Sequence, residues 1–230
     1  MRNPVENREE TATCPVPDRE EARLASLQRL RVMDTVEEKV LDNLTELAAT
    51  ICQTPISLIS LVDEKRQWFK SHHGLSTRET PRRDAFCAHA IIANELFVVP
   101  DTLQDSRFVD NPLVTGAPDI RFYAGAPIMV DDGLNVGTLC VIDRKPRQLD
   151  EHQRRSLEIL RDAVAAHLEL RRARHEIQAF QKLVPVCAWC RKINVARDGS
   201  EHEWVDPYDF VVETSITSHG VCSSCAKRFD

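Results

Sequence analysis

The chain has 230 residues, a formal net charge of −6 and 42% apolar residues. This length is enough for one hydrophobic core and a small appendage. The acidic balance argues against nucleic acid as the main partner, and we find neither a signal peptide nor an apolar run that could span a bilayer. We therefore expect a soluble, cytoplasmic protein that contacts neither membrane nor nucleic acid.

The N-terminal third begins with a polar, proline-containing segment, residues 1–17, for which we predict disorder. A short amphipathic helix is predicted at residues 18–30. A second helix is predicted to begin at Thr35, because Thr35 and Glu38 have the spacing of a capping box. An apolar stripe at helical spacing follows it and predicts a buried face.

Two strands are predicted next, at residues 56–63 and 66–74. Trp68 and Phe69 are adjacent in the second strand and should point to opposite faces, so we expect one of them in the core. The following segments are predicted, in order, as an apolar helix, a brief strand and an irregular stretch, at residues 85–94, 96–101 and 102–116.

Residues 120–143 are the most regular part of the sequence. Apolar or small residues alternate along two stretches that flank Asp131-Asp132-Gly133, which is typical of a β-hairpin. Both faces of the hairpin are apolar or small, so both faces should be covered.

A long helix follows, opened by Asp150 and Gln153 at capping spacing. One apolar seam suits packing on the sheet: Leu157, Leu160, Val164 and Leu168. A second seam has the coiled-coil spacing of alternately three and four residues: Ala163, Ala166, Leu170, Ala173, Ile177, Phe180 and Val184. The second seam predicts a parallel homodimer; the alternative is a wide core face.

Several of these stretches together resemble the GAF domain of bacterial signalling proteins, of the subgroup that is not phytochrome. The motifs are PISLISLVD, RQWFKS, AFCAHAI, VVPDTLQDSRFVDNPLV, IRFYAGAPI and GTLCVID, within residues 20–172. The resemblance implies an α+β fold with about six antiparallel strands and helices on both faces. It also implies a ligand pocket under residues 85–94 and 102–116, and an output protein such as a histidine kinase as partner.

Four cysteines near the C-terminus form two C-x-x-C pairs. They are Cys187 with Cys190 and Cys222 with Cys225, and two such pairs complete a tetrahedral zinc site. Two disulfides or redox-active dithiols are the alternative. This stretch, residues 183–230, resembles a small cysteine-rich tail found after bacterial sensor domains. We therefore predict four parts: residues 1–17, a sensory domain at 18–172, an overlapping signalling helix at 150–184, and a zinc-binding tail at 185–230.

Five residues are candidates for contact with a small ligand in the implied pocket. They are Cys87, His89, Asp101, Arg121 and Tyr123. Cys87 could instead attach a bilin or act as a redox thiol, or be a plain buried side chain. Arg121 could instead form an internal ion pair with Asp101 or Asp143.

The sequence contains no phosphate-binding glycine loop, HExxH motif or nucleophile elbow. We therefore expect a sensor of an unknown small molecule, rather than an enzyme, that transmits a signal through its dimeric helix. Two alternatives are open. One is a thiol-dependent reductase of free methionine sulfoxide that uses Cys87 and Cys140. The other is a structural dimerisation module with no ligand.

Overall fold

Six strands of the chain form one antiparallel sheet. The strands are β1 Ile56–Val62, β2 Arg66–His73, β3 Glu79–Pro81, β4 Phe97–Val99, β5 Phe122–Val130 and β6 Leu134–Asp143. Their order in the sheet is β3-β2-β1-β6-β5-β4, with every neighbouring pair antiparallel. This computed structural model describes residues 14–130, 133–181, 184–194, 204–205 and 217–220. Most of the predicted disordered segment and the residues Asp131 and Asp132 of the predicted turn lie outside that range.

Five α-helices accompany the sheet. They are α1 Glu20–Arg29, α2 Lys39–Cys52, α3 Phe86–Ala90, α4 Pro112–Thr115 and α5 Glu151–Gln181, with short 3-10 helices at Arg82–Asp84 and Thr102–Gln104. The sheet and helices confirm the predicted α+β class. The chain divides into two compact units, Met1–Arg172 and Ala173–Asp230.

The two faces of the sheet bury two separate cores, as the apolar hairpin predicts. The helix-side core joins α1, α2 and the start of α5 to the sheet and includes Leu27, Leu41, Ala48, Leu61, Trp68, Leu139, Leu157, Val164 and Leu168. The cavity-side core joins α3 and the loop around α4 to the other face and includes Leu58, Phe69, Phe86, Cys87, Phe108, Tyr123 and Cys140. The expectation that only one of Trp68 and Phe69 is core is wrong, because each faces a covered side of the sheet.

The predicted cap of α5 is confirmed. The Gln153 backbone N–H donates to Asp150 Oδ1 over 2.8 Å, and the Asp150 N–H donates to Gln153 Oε1 over 3.2 Å. The predicted capping box of α2 is wrong: α2 begins at Lys39, and neither Thr35 nor Glu38 caps it with a side chain. Both side chains instead contact residues that are distant in the sequence.

The Glu38 carboxylate lies among a lysine, an arginine and a histidine side chain, and we call these four residues the Glu38 cluster. The carboxylate is 2.8 Å from Lys70 Nζ of β2, 2.8 Å from His167 Nε2 and 2.8 Å from an Arg171 guanidinium nitrogen, the last two on α5. Burial opposes its ionisation, but the hydrogen bonds from His167 and Lys70 and the nearby positive charges outweigh burial and lower the pKa of Glu38 to about 2. One carboxylate therefore joins α2, the sheet and α5.

A β-bulge directs Lys70 to this cluster. Between β1 and β2, Ser60 pairs with Phe69 and the preceding residue, Ile59, pairs with Ser71, so Lys70 is the extra residue. A bulge of this kind re-aims a side chain. The Lys70 side chain is 0% exposed and also donates to the Thr35 hydroxyl and the Val36 carbonyl.

Helix α3 is shorter than the predicted helix at residues 85–94. It ends at Ala90, and the Asn135 amide of β6 donates to the carbonyls of Ile91 and Ala93. These two carbonyls therefore find partners on the sheet rather than in a further helical turn.

The described residues of the second unit form four short strands. They are β7 Val184–Cys187, β8 Ile193–Asn194, β9 Trp204–Val205 and β10 Thr217–Gly220, in the order β10-β7-β8-β9. The predicted helix to residue 184 is too long, because α5 ends at Gln181 and Val184 begins β7. β10 and β7 are parallel, and Gly220 pairs with Cys187.

The Glu38 cluster yields a prediction on stability. Substitution Glu38→Gln leaves the buried Lys70 ammonium without its counter-charge, and we expect it to lower the free energy of unfolding by about 2–3 kcal/mol at pH 7. The folded-state pKa of Glu38 lies below its ordinary value of 4.5, so its contribution is complete above pH 4.5 and is lost as the pH falls toward 2. Urea unfolding at pH 7, 4 and 3 measures the difference in unfolding free energy between the variant and the wild type. This difference should become smaller as the pH is lowered.

The matched control is Glu37→Gln, one residue earlier. Glu37 forms an exposed ion pair with Arg78, so its loss should change stability by less than about 0.5 kcal/mol. Equal effects of the two substitutions at pH 7 would contradict the importance assigned to the Glu38 cluster.

Candidate functional site

A cavity of about 80 Å³ lies on the cavity side of the sheet. Its lining is apolar apart from three side chains, Gln67, Thr77 and Thr80, one thiol, Cys87, and one phenol, Tyr123. Exposed residues such as Thr77 and Ala117 are part of the lining, so the cavity reaches the surface. It is smaller than the apolar cavity of roughly 150 Å³ that holds benzene in a well-studied engineered protein, so in this conformation it admits only a very small molecule.

Cys87 lies on the wall of this cavity, in contact with a group of polar side chains from the sheet. Thr138 of β6 donates its hydroxyl to Cys87 Sγ over 3.1 Å, and the Tyr123 phenol of β5 donates over 3.3 Å. Cys140 of β6 and Ser60 of β1, both fully buried, are the other side chains that interact with this sulfur. We call these five residues the thiol cluster.

The thiol cluster shifts the acidity of its members. Burial opposes ionisation of Cys87, but hydrogen bonds from Cys140, Ser60, Thr138 and Tyr123 outweigh burial and lower the pKa of Cys87 to about 6. The hydrogen bond with Cys87, followed by burial, raises the pKa of Cys140 well above its ordinary value. The first proton therefore leaves the pair at Cys87 and the second is retained by Cys140.

Tyr123 reaches the thiol because of a glycine on its own strand. A Cβ atom at Gly125 would lie 2.3 Å from the Tyr123 hydroxyl, so only glycine leaves room for the phenol there. The ring is held from the other side by Phe86 of α3, at a centroid distance of 5.2 Å. The local sequence thus fixes the phenol over Cys87.

The five predicted ligand residues do not lie together. Cys87 and Tyr123 line the cavity, whereas His89, Asp101 and Arg121 do not. The His89 ring contacts Phe108 edge-on at 4.8 Å, and burial followed by the charge of Arg107 lowers the pKa of His89. Ligand contact by any of the five stays a prediction.

The other two predicted ligand residues have local hydrogen bonds. The Asp101 carboxylate accepts from the Leu103 backbone N–H over 3.1 Å and begins a 3-10 helix. The Arg121 guanidinium donates to the Val114 and Ile120 carbonyls. The alternative ion pair between Arg121 and Asp143 is not formed, because the Asp143 carboxylate pairs with Arg147.

Three members of the thiol cluster, Ser60, Thr138 and Cys140, were not among the candidate ligand residues. The alternation of β6 puts Thr138 and Cys140 on one face, and the register pairs Cys140 with Gly125. A polar pair in an otherwise apolar strand, opposite a glycine, is the signal that could have identified them.

The predicted zinc ligands are only partly described. Cys187 is buried and Cys190 exposed, at the turn between β7 and β8, whereas Cys222 and Cys225 lie outside the described residues. The turn is closed by hydrogen bonds between Cys187 N–H and the Lys192 carbonyl and between Arg191 N–H and the Cys187 carbonyl. Within the described part of the chain, no three His, Cys, Asp or Glu side chains form a metal-binding group.

The sequence matches the model of the GAF domain over residues 37–170. The chain belongs to the GAF domain family. The match spans α2, the six-stranded sheet and the sheet-bound part of α5. The GAF resemblance of the sequence motifs is thereby confirmed, and with it a domain type of signalling proteins.

Known proteins similar to this GAF chain include one curated relative. Over 136 residues the chain is 49% identical to a cyclic di-GMP phosphodiesterase of Pseudomonas aeruginosa, a region that makes up 59% of this chain and 23% of that protein. The chain therefore spans about a quarter of that relative's length.

Solved structures of similar fold include the GAF domain of an Acinetobacter phosphoenolpyruvate-protein phosphotransferase. It is 20% identical, with a TM-score of 0.49 over 68% of this chain and 95% of that one. A type II free methionine-R-sulfoxide reductase from Thermoplasma acidophilum is 12% identical, with a TM-score of 0.43 over 56% of this chain and 94% of that one. In the GAF chain itself, no helix among the described residues is both long and apolar enough to cross a bilayer.

Proposed function

We propose that this GAF protein is a sensor rather than an enzyme: a small molecule enters the cavity, and a shift of the sheet is passed to α5. The observation that supports it best is that β2 takes part in both sites. Gln67 and Phe69 line the cavity, while the next residue, Lys70, binds Glu38 on the opposite face. Glu38 in turn binds His167 and Arg171 of α5.

Helix α5 has the surface that a dimeric signalling helix needs. Opposite its buried seam, an exposed apolar seam continues at spacings of four and three residues: Ile159, Ala163, Ala166, Leu170, Ala173 and Ile177. The large members Ile159, Leu170 and Ile177 are 52%, 50% and 55% exposed. Exposure of such an apolar stripe to water is unfavourable, whereas a second copy of the chain would bury it.

The charges beside the exposed seam favour a parallel pair of helices. If Ala163 and Leu170 are a positions, the g positions Asp162, Glu169 and Glu176 are acidic and the e position Arg174 is basic. In a parallel dimer, Glu169 would face Arg174 of the second copy. The predicted homodimer is therefore our proposal for how α5 acts.

The dimer proposal predicts a change in mass. Leu170→Asp places two charges in the seam, and we expect dimerisation to weaken by at least about 100-fold, roughly 3 kcal/mol. Sedimentation equilibrium at micromolar concentration should then show a dimer for the wild type and a monomer for the variant. Met129→Asp is the control, because Met129 is similarly exposed (45%) on β5 and should leave the dimer intact. A wild-type monomer would remove the proposed route through α5.

We also propose that the C-terminal cysteines bind one zinc ion. The short turn after β7 brings Cys187 and Cys190 to one end of the β7–β8 hairpin. Gly220 pairs with Cys187, and Cys222 follows Gly220 by two residues in the sequence. Four thiolates are a ligand set that suits zinc, and the ion would stabilise a unit whose described residues include few buried apolar side chains.

The zinc proposal predicts one zinc ion per chain in protein purified under reducing conditions. Elemental analysis by mass spectrometry should find less than about 0.2 equivalents in Cys187→Ser and in Cys222→Ser, since three thiolates hold the ion far more weakly. Cys14→Ser, a cysteine of the first unit, should keep the metal. Metal-free wild-type protein with two disulfides would support the alternative assignment.

The sensor proposal also implies a partner that receives the signal. The relative of Pseudomonas aeruginosa is named as a cyclic di-GMP phosphodiesterase, and this region covers only part of it. We propose by analogy that the GAF region is an input to an output protein, such as a histidine kinase or an enzyme of cyclic di-GMP turnover. The location we propose is the cytoplasm, where such outputs act.

The sensor proposal predicts that a small molecule copurifies with the protein. Mass spectrometry of compounds released from purified wild type should detect it, and Leu75→Trp, which fills the cavity from its rim, should reduce its amount at least about tenfold. Ile92→Trp is the control, because Ile92 is exposed and does not line the cavity. Recovery of the same compounds from the wild type and from Leu75→Trp would favour a structural module without a ligand.

A further inference from the structure

The thiol cluster has a chemical capacity that binding of a ligand does not use. Two cysteines from different elements, Cys87 of α3 and Cys140 of β6, lie in the same cavity-side core and influence each other's ionisation. Hydroxyl groups of Thr138 and Tyr123 donate to the same sulfur of Cys87. Donors that converge on one sulfur stabilise negative charge on it, which makes the sulfur a nucleophile.

Access to the two thiols is unequal. Cys87 lines the cavity, whereas Cys140 is fully buried and does not. A reagent that enters therefore meets Cys87 first, and Cys140 lies behind it. This is the arrangement of an attacking thiol and a second thiol that can resolve the product.

The size of the cavity selects the reagent. A volume of about 80 Å³ holds a few water-sized molecules but not a benzene ring. Free methionine sulfoxide has more heavy atoms than benzene and does not fit this conformation. Hydrogen peroxide is close to water in size and hydrogen-bonding capacity, and the Tyr123 hydroxyl group, which lines the cavity beside Cys87, can bind it.

We infer that Cys87 is oxidised by hydrogen peroxide and that Cys140 converts the product to a disulfide. In the first step the Cys87 thiolate attacks one peroxide oxygen, an S–O bond forms, the O–O bond breaks, and hydroxide leaves and becomes water by taking up, through solvent, the proton that Cys87 released when it ionised. In the second step the Cys140 sulfur attacks the Cys87 sulfenic acid, an S–S bond forms, and water leaves with the thiol proton. Overall two thiols lose two electrons, and one peroxide becomes two waters.

This inference names hydrogen peroxide as a stimulus for the proposed sensor. It rests on the proposed function only for the signalling consequence of the oxidation. The oxidation itself requires neither the dimer nor the zinc tail. The disulfide would tie α3 to β6 beneath Tyr123, and reduction by a cellular thiol would reverse it.

The test is peroxide treatment of the reduced full-length protein at pH 7, followed by alkylation and peptide mapping by mass spectrometry. We expect a peptide pair linked through Cys87 and Cys140. In Cys140→Ser, we expect Cys87 to be trapped by dimedone as sulfenic acid. Tyr123→Phe removes one donor and should slow oxidation of Cys87 severalfold at pH 5.5, while circular dichroism shows that it is folded.

Cys52 is the matched internal control, because it is a buried thiol of the helix-side core. Burial, followed by the charge of Asp150, raises the pKa of Cys52 to about 11. At pH 7 Cys87 should hold roughly 10⁴-fold more thiolate, and its lower basicity should reduce this advantage to about 50-fold in rate. Oxidation of Cys87 no faster than of Cys52, or a wild type in which Cys87 and Cys140 stay reduced while half-buried Cys14 is oxidised, would overturn the inference. Turnover of methionine sulfoxide that depends on Cys87 would overturn it in favour of the reductase.

Failure of this test is distinguishable from failure of the sensor proposal. Absence of the disulfide leaves the results of sedimentation and of ligand release unaffected. Conversely, a monomeric protein that still forms the disulfide would contradict transmission through α5 and leave the thiol chemistry in place.

Discussion

The wholly buried ammonium group of Lys70 is the constraint on which the arrangement of helices depends. An ammonium group without a counter-charge is too costly to leave in a core, so Glu38 must lie beside it. The same carboxylate accepts from His167 and Arg171, and these bonds fix the rotation of α5 about its own axis. With that rotation set, Leu157, Val164 and Leu168 face the sheet and the seam with Leu170 faces outward. Packing of apolar side chains alone would tolerate small rotations of α5, whereas these directional hydrogen bonds to Glu38 do not.

Local patterns predict the strands and the two-sided core, but they fail where distant residues compete. The alternation around Tyr123 and Cys140 identifies β5 and β6 within a few residues of their observed ends. The spacing of Thr35 and Glu38 equally predicts a cap, yet Lys70 takes the Thr35 hydroxyl and the Glu38 carboxylate. A buried ammonium gains more from these groups than a helix end gains from a cap, since the helix end can bind water instead. The spacing of residues along the sequence does not reveal which of these two partners binds Thr35 and Glu38.

The candidate site shows the same division. Cys87 and Tyr123 could be proposed from sequence because both lie in regular elements whose apolar face is evident. Their meeting depends on Gly125, whose missing side chain leaves the space for the phenol, and on the register that pairs Gly125 with Cys140. His89, Asp101 and Arg121 were chosen for their chemistry alone. Each of the three forms hydrogen bonds with nearby backbone groups or packs against an aromatic side chain of a loop. A sequence pattern does not reveal these contacts.

In the proposed sensor, a signal from the cavity would have to cross the sheet, and β2 offers a physical reason why it would cross at one place. Phe69 faces the cavity and Lys70 faces Glu38, so one peptide unit separates the two cores. The other register irregularity of the sheet, at Ile128 and Met129 of β5, lies at the far end of the hairpin, and in the regular stretches a small displacement would be absorbed by side-chain repacking on one face. At a β-bulge the backbone has an unpaired residue and can change its twist without breaking neighbouring ladder bonds. Any rearrangement near Phe69 therefore alters the position of the ammonium group, and an ion pair of 2.8 Å responds to such a change more steeply than an apolar contact does.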